Sequence, residues 1–275
     1  MSVVVPTRNR AAYLEVALLS ILSQELDEPF EVIVVDDSST DATAEVVRRA
    51  GARLIGQPEP RGPNAARNAG IAAAAAALVV LVDDDVVAPQ GWLSAMLDGS
   101  RRHPEAEVFG GPIRARFEGR APRSCGREDP PITTLDLGPA DREAQAVWSA
   151  NIALRRETWQ RVGPFPEAAP IGGDEEEWLV GVRRAGGRVV YLADAWLEHR
   201  RAGADARLRS LVRSHYERGR NLRAWDVRRG EAPALGRELR VLAGCVWHAA
   251  IRRCPQGLIM GAHSLGRTRE AVLPR

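Results

Sequence analysis

The segment FEVIVVDD, residues 30–37, places four β-branched residues in a row, Val32 to Val35, and then stops on two aspartates. A strand with one wet face alternates apolar and polar residues. An uninterrupted apolar run instead suits a strand covered on both faces, as in a parallel sheet with helices on either side. Working outward, Ser2 to Val5 repeats the pattern and stops at Pro6. Polar TRNR (7–10) follows, then helical spacing through Leu14, Ala17, Leu18, Ile21 and Leu22. Beyond Asp37, the residues Ser38, Ser39 and Thr40 are expected to cap a helix over 41–50, and Ala52 to Ile55 reads as a third strand. The alanine-rich stretch 62–77 predicts a further helix, which delivers the chain to LVVLVDDDVVAP, residues 78–89. Three strand-helix units thus precede Asp83, and the expected fold is α/β, a doubly wound, mostly parallel sheet. Such sheets bind ligands beyond the carboxyl ends of their strands. The polar clusters Thr7 to Arg10, Asp36 to Ser39 and Asp83 to Asp85 all follow such ends, so they converge on one rim.

A chain of 275 residues, 45% hydrophobic and 27% charged, can bury a sizeable core. A formal charge of +2 is too balanced for a general nucleic-acid binder, so no nucleic-acid partner is expected. All 38 basic residues are arginine, which excludes a Walker-type phosphate loop, a pyridoxal Schiff base and a lysine nucleophile. Cys125, Cys245 and Cys254 are odd in number and lack zinc-site spacing, so they read as reduced thiols. The N-terminus MSVVVPTRNR has no leader pattern, and the longest apolar stretch, Ile71 to Val82, falls short of the roughly 20 residues that span a bilayer. The expected location is cytoplasmic, with a peripheral position at the inner face of the membrane as the alternative.

The middle of the chain, 114–146, is rich in Pro, Gly and Arg and reads as a loop or β-excursion. Regular structure resumes at VWSANIALRRETWQRVG (147–163); Trp178, Val182 and Ala185 share a predicted helical face, and Arg188 to Leu192 forms a strand. From Arg207 onward the pattern is helical. One domain is expected over 1–205, with a division near residue 113. A helical region over 206–275 would pack on it.

Asp83 and Asp85 at a strand end form the DxD arrangement that holds a hard divalent cation, Mn²⁺ or Mg²⁺, against a diphosphate. A solvated turn would explain the triplet alone, but the buried strand before it favours the ion. The second acidic site is GGDEEEWL, residues 172–179. Acids at a helix N-terminus are favoured by the helix dipole, which accounts for about two of the four. A carboxylate mounted there after Gly-Gly is also suited to take a proton from an acceptor hydroxyl. His199, just past the last strand, could add a nitrogen ligand to the same cation.

These motifs, in the order VVVPTRNR, SILSQ, VIVVDDSSTDAT, GPNAARNAG, LVDDDVVAPQGWL, ANIALRRETWQRVGPFPE and GGDEEEWLVGVRRAGGRVVYLADAWLEH, resemble the family 2 glycosyltransferases over roughly residues 1–200. The resemblance implies a Rossmann-like GT-A fold for a catalytic domain over 1–205, with a nucleotide-sugar half to about 113 and an acceptor half over about 114–205, followed by the helical C-terminal extension read above, and a metal-assisted, inverting sugar transfer from a nucleotide-diphosphate sugar. It places Pro6, Thr7, Arg8, Asp36 and Asp37 around the nucleotide base, and Arg67 and Asn68 beside the nucleotide. Asp83 and Asp85 form the DxD pair with Asp84 between them, and Asn151 lies in the donor or acceptor pocket. His199 matches a histidine near metal and diphosphate. The family's usual Glu-Asp is reversed here, so the base falls on Glu175 by position, with Asp174 as the rival. The QxxRW motif of processive members is missing, which implies transfer of a single sugar.

Two alternatives have less support. A sugar-1-phosphate nucleotidyltransferase would show a GxGxR loop and a catalytic lysine. A nucleotide-sugar-binding pseudoenzyme is encouraged only by the reversed acidic pair. An oxidoreductase is disfavoured because no GxGxxG follows a predicted strand. On the C-terminal region, Leu235, Leu239, Leu242, Val246, Ala249 and Ala250 recur at helical spacing beside many arginines. The preferred reading packs this stripe on the catalytic domain. A lipid surface contacted through Trp225, Trp247 and Leu242 is the other, and a homodimer face a third.

Overall fold

The structure is a computed structural model, and it describes residues 1–119, 133–167 and 174–273, without the side chain of Asp174. The first half alternates β1 (Ser2–Thr7), α1 (Ala11–Leu22), β2 (Glu31–Asp36), α2 (Thr43–Ala50), β3 (Arg53–Gly56), α3 (Pro63–Ala73) and β4 (Leu78–Val82). Then come β5 (Val86–Val87), α4 (Trp92–Arg102), β6 (Val108–Gly110), β7 (Ile113–Phe117), β8 (Arg142–Glu143), β9 (Asn151–Arg155) and α5 (Arg156–Val162). The chain continues through α6 (Asp174–Arg184), β10 (Val189–Tyr191) and β11 (Leu197–Arg201) into α7 (Leu208–Arg229), α8 (Leu235–Arg252) and α9 (Pro255–Val272). The expected excursion over 114–146 is represented by β7, β8 and a bridge between Ile113 and Leu135; residues 120–132, with Cys125, lie outside the described residues, as do Gly172 and Gly173.

The main sheet has the order β3-β2-β1-β4-β9-β6-β10-β8. Strands β1 to β4 pair in parallel, whereas β9 runs antiparallel between β4 and β6, with Asn151 opposite Val82. Both faces are covered, as the run Val32 to Val35 implies. Val3, Val5 and Val34 pack into one core with Leu14, Leu18 and Trp92, while Val4, Ile33 and Val35 join Ile71 and Trp178 on the other side. Each such side chain contributes about 1.5–3 kcal/mol on burial, which is why the β-branched strands set the layer order. Helix α3 lies close on β1 because Gly70 has no side chain: a Cβ there would stand 2.2 Å from a methyl of Val4.

Several local expectations give way to non-local hydrogen bonds. Helix α2 starts at Thr43, and Ser38 to Thr40 do not cap it. Ser38 is left-handed, the Ser39 N–H donates to Asp36 Oδ1, and the Thr40 N–H donates to Asn9 Oδ1, so this loop is tied to the end of β1. Helix α3 stops at Ala73 rather than running to 77, because the Ala75 and Ala76 N–H groups are taken by Glu31 and Ser2. Ala185 lies past the end of α6 and is exposed; Leu179 joins Trp178 and Val182 in the core.

By internal contacts the chain forms two compact units. One comprises Met1–Arg114, Thr134–Glu167 and Asp174–Arg200. The other contains Arg201–Arg275 with segments of the middle of the chain. Within the second, α7 and α9 cross closely, and Gly219 and Gly266 allow it: a Cβ on either would meet a backbone carbonyl oxygen of the other helix at about 2 Å, 2.0 Å for Gly219 and 2.1 Å for Gly266. Cys254 is buried and Cys245 half-buried.

Candidate active site

The strand order reverses between β1 and β4, the switch point at which a doubly wound sheet binds its ligands. Thr7 to Arg10 and Asp83 to Asp85 flank it, with Asp36 and Asp37 at the end of β2 next door. Asp84 and Asp85 are buried and Asp83 is partly open. Burial pushes the Asp84 carboxyl up to about 7, against the pull of the Arg10 guanidinium. Thr7 Oγ1 donates to Asp84 Oδ2 at 2.7 Å.

Arg10 answers the repulsion among these carboxylates. Its Nη1 lies 2.8 Å from Asp84 Oδ1 and its Nη2 2.8 Å from Asp85 Oδ2. Partial burial works against the Arg10 charge, but Asp85 and Asp84 outweigh it and raise the guanidinium further. The Tyr13 ring, 4.5 Å from the Arg10 guanidinium carbon, holds it in place, and Arg200 approaches the same ring at 5.3 Å. The sequence placed Arg10 on this rim within the Thr7 to Arg10 cluster but assigned it no role. Its only signal was a second arginine in TRNR, one helical entry past the strand.

The other oxygen of Asp85 faces His199 Nε2 at 2.8 Å. His199 lies within β11 rather than past the last strand, and the short ladder between β5 and β11 makes this possible: His199 is the register partner of Val86, and the Arg200 N–H donates to the Asp85 carbonyl at 2.7 Å. Donor atoms of Asp83, Asp85 and His199 all lie within 4.8 Å of one another. Two carboxylates and an imidazole suit Mn²⁺ or Mg²⁺ with positions left for phosphate oxygens, so these residues fit the expected cation.

Arg67 Nη2 reaches Asp83 Oδ1 at 3.2 Å and is itself steadied by Asn64. The amide of Asn68 instead clamps the 163–167 segment, donating to the Phe165 carbonyl and accepting from the Phe165 N–H, each at 2.9 Å, and accepting from Trp159 Nε1 at 3.2 Å. Asn151 is also fully engaged: it accepts from Trp92 Nε1 and donates to the carbonyls of Pro112 and Ala195. Asp37 accepts from the N–H groups of Arg61 and Gly62 and so closes the loop that leads into α3. Pro6 is buried and Arg8 is exposed.

Glu175 sits in the first turn of α6, and its Oε1 accepts from both the hydroxyl and the N–H of Ser149. Ser149 is two residues before Asn151, the register partner of Val82, so the hydrogen bond ties Glu175 to the rim where Asp83 begins. Glu176 and Glu177 are exposed. Trp178 fixes the helix behind them: its ring stacks on Phe165 at 4.6 Å, and its Nε1 donates to the Gly163 carbonyl at 2.8 Å.

The sequence profile of the family described as Glycosyl transferase family 2 matches residues 2–162. The chain therefore belongs to glycosyltransferase family 2. Among curated relatives it is 25% identical over 203 residues to glycosyltransferase AglE of Haloferax volcanii, covering 70% of this chain and 64% of that protein. It is 30% identical over 211 residues to the pre-mycofactocin glycosyltransferase of Mycobacterium tuberculosis, covering 72% and 42%. It thus spans less than two thirds of either relative. The GT-A fold expected above is found in solved structures. Mannosyltransferase PcManGT from Pyrobaculum calidifontis, in complex with GDP-Man and Mn²⁺, superposes with a TM-score of 0.65 at 20% identity, over 99% of this chain and 86% of that one. TarS of S. aureus in complex with UDP-GlcNAc gives 0.55 at 24% identity, over 74% and 59%.

Proposed function

We propose that this protein transfers a single sugar from a nucleotide-diphosphate sugar to a hydroxyl acceptor, with inversion at the anomeric carbon. The observation that carries this reading is the clustering of Asp83, Asp85 and His199 beyond β4, on the rim to which Ser149 also ties Glu175. Asp83, Asp85 and His199 would hold Mn²⁺ or Mg²⁺, which would supply positive charge to neutralise the diphosphate. Arg67, anchored beside Asp83, and Arg8 on the open side offer further positive charge to the leaving phosphate. Pro6, Thr7, Arg8 and Asp36 line the base pocket with Asp37 beside it, Asn68 flanks the nucleotide with Arg67, and Asn151 shapes the donor or acceptor pocket through the backbone it holds. Glu175 takes the acceptor hydroxyl proton, and Asp174 is the rival for that role. The donor carries UDP, GDP or dTDP; GDP-Man and UDP-GlcNAc in the complexes of PcManGT and TarS support a nucleotide sugar. The acceptor is a glycan, a glycolipid or a secondary metabolite. The division into a catalytic domain over 1–205 and a helical region over 206–275 is part of the same proposal.

Calorimetric titration of UDP, GDP and dTDP tests this reading directly. One nucleotide is expected to bind with Mn²⁺ and to lose most of its affinity in EDTA. If none binds under either condition, the nucleotide site is wrong.

Arg10 gives a separate prediction. Its removal leaves two adjacent carboxylates without their guanidinium, at a cost of about 1–3 kcal/mol, below the fully buried case because Arg10 is a third exposed. Metal-free Arg10→Met is therefore expected to melt several degrees below wild type, and Mn²⁺ to raise its Tm by more than it raises wild type's. Equal Mn²⁺ shifts in a thermal melt would mean that Arg10 and the cation do not answer the same repulsion.

A further inference from the structure

The C-terminal region carries charge very unlike the rest of the chain. Between Arg201 and Arg275 there are 16 arginines against 6 acidic residues, a formal +10, whereas residues 1–200 carry 22 against 30, a formal −8. Half of those six acids are turned inward. Glu270 pairs with Arg220, Glu238 with Arg223 and Arg267, and Asp226 with Arg267. The arginines flanking α8, among them Arg240, Arg252 and Arg253, are exposed.

Helix α8 is amphipathic in an unusual sense: its polar Glu238 is buried and its apolar side is not. Cys245 and Ala249 face α9, where Gly257 and Gly261 allow a close approach. The adjoining side presents Leu239, Val246, Trp247 and Ile251, the last three 59%, 56% and 63% exposed. Of the three side chains expected at a lipid surface, Trp247 is exposed, and Trp225 and Leu242 are half-buried. On α9 a second apolar stripe, Leu258, Leu265 and Val272, is also exposed. A soluble surface seldom leaves this much aliphatic and indole area uncovered without a partner. No helix among the described residues is long and apolar enough to cross a membrane.

We propose that the α8 face is a docking surface for an anionic lipid bilayer. Trp247, Val246 and Ile251 enter the headgroup boundary, and the neighbouring arginines meet lipid phosphates while their stems cover apolar surface. The charge identifies the partner, because a formal +10 beside an uncovered apolar helix face is complementary to an acidic membrane rather than to a neutral one.

Flotation of the full chain with phosphatidylglycerol-containing vesicles and with pure phosphatidylcholine vesicles tests the proposal without reference to catalysis. Binding to the anionic vesicles is expected, weakening as salt rises. The double variant Trp247→Glu and Ile251→Glu should reduce the bound fraction at least about tenfold with no change in Tm. Three results would overturn the proposal: no flotation, equal flotation with both vesicle types, or a wild-type dimer in light scattering that the double variant converts to monomer while flotation is unchanged.

Discussion

Asp83→Asn is expected to lower Mn²⁺ affinity by more than about 100-fold and to remove metal-dependent nucleotide binding with it. Substitutions of groups that only support a metal ligand cost about 10–100-fold in affinity, and loss of a ligand carboxylate exceeds that. Asp83 is the cleanest place to make the change. Its side chain is 28% exposed and pairs with Arg67, which Asn64 also holds, so the isosteric amide leaves the fold in place. Asp85→Ala should abolish metal binding too, but it also strips partners from Arg10 and His199, and breaking a buried pair of this kind costs about 3–5 kcal/mol. The two variants together separate the roles. Both should fail to bind Mn²⁺ in calorimetry, and only Asp85→Ala should melt markedly lower in EDTA. If Asp83→Asn binds Mn²⁺ like wild type, the cation is held elsewhere.

Glu175→Gln is expected to lower kcat about 10²–10⁴-fold, the usual contribution of a general base, with donor KM nearly unchanged. The geometry makes the substitution informative. The carboxylate oxygen accepts from Ser149, and a glutamine Oε1 can accept the same hydrogen bonds, so position is kept and only basicity is lost. Asp174→Asn is the companion measurement. If that variant loses turnover and Glu175→Gln does not, the base is Asp174. If wild type itself shows no transfer with any acceptor class while binding nucleotide and metal, the chain is a binding protein on a transferase fold.

What the sequence determined by itself was local and periodic. Val3 to Val5, Val32 to Val35 and Val79 to Val82 are legible as doubly covered strands because burial on both faces leaves an unbroken apolar run, whatever the neighbours. Strands of that kind, alternating with helices, imply a parallel sheet, and acids at their carboxyl ends then mark a rim. Pairings between distant residues were not legible. Arg10 reaches Asp85 across 75 positions, and no periodicity reports which of several arginines will do so. His199 meets Asp85 only because β11 pairs with β5 in one register, and Glu175 meets the rim only because β9 inserts antiparallel beside β4. The same physics moved the start of α2 and the end of α3, where backbone N–H groups found side chains from other segments in place of helical or capping partners. Local pattern sets which residues must leave water; register, strand direction and the hydrogen-bond partners of the chain ends are decided by long-range contacts that exist only once the sheet has formed.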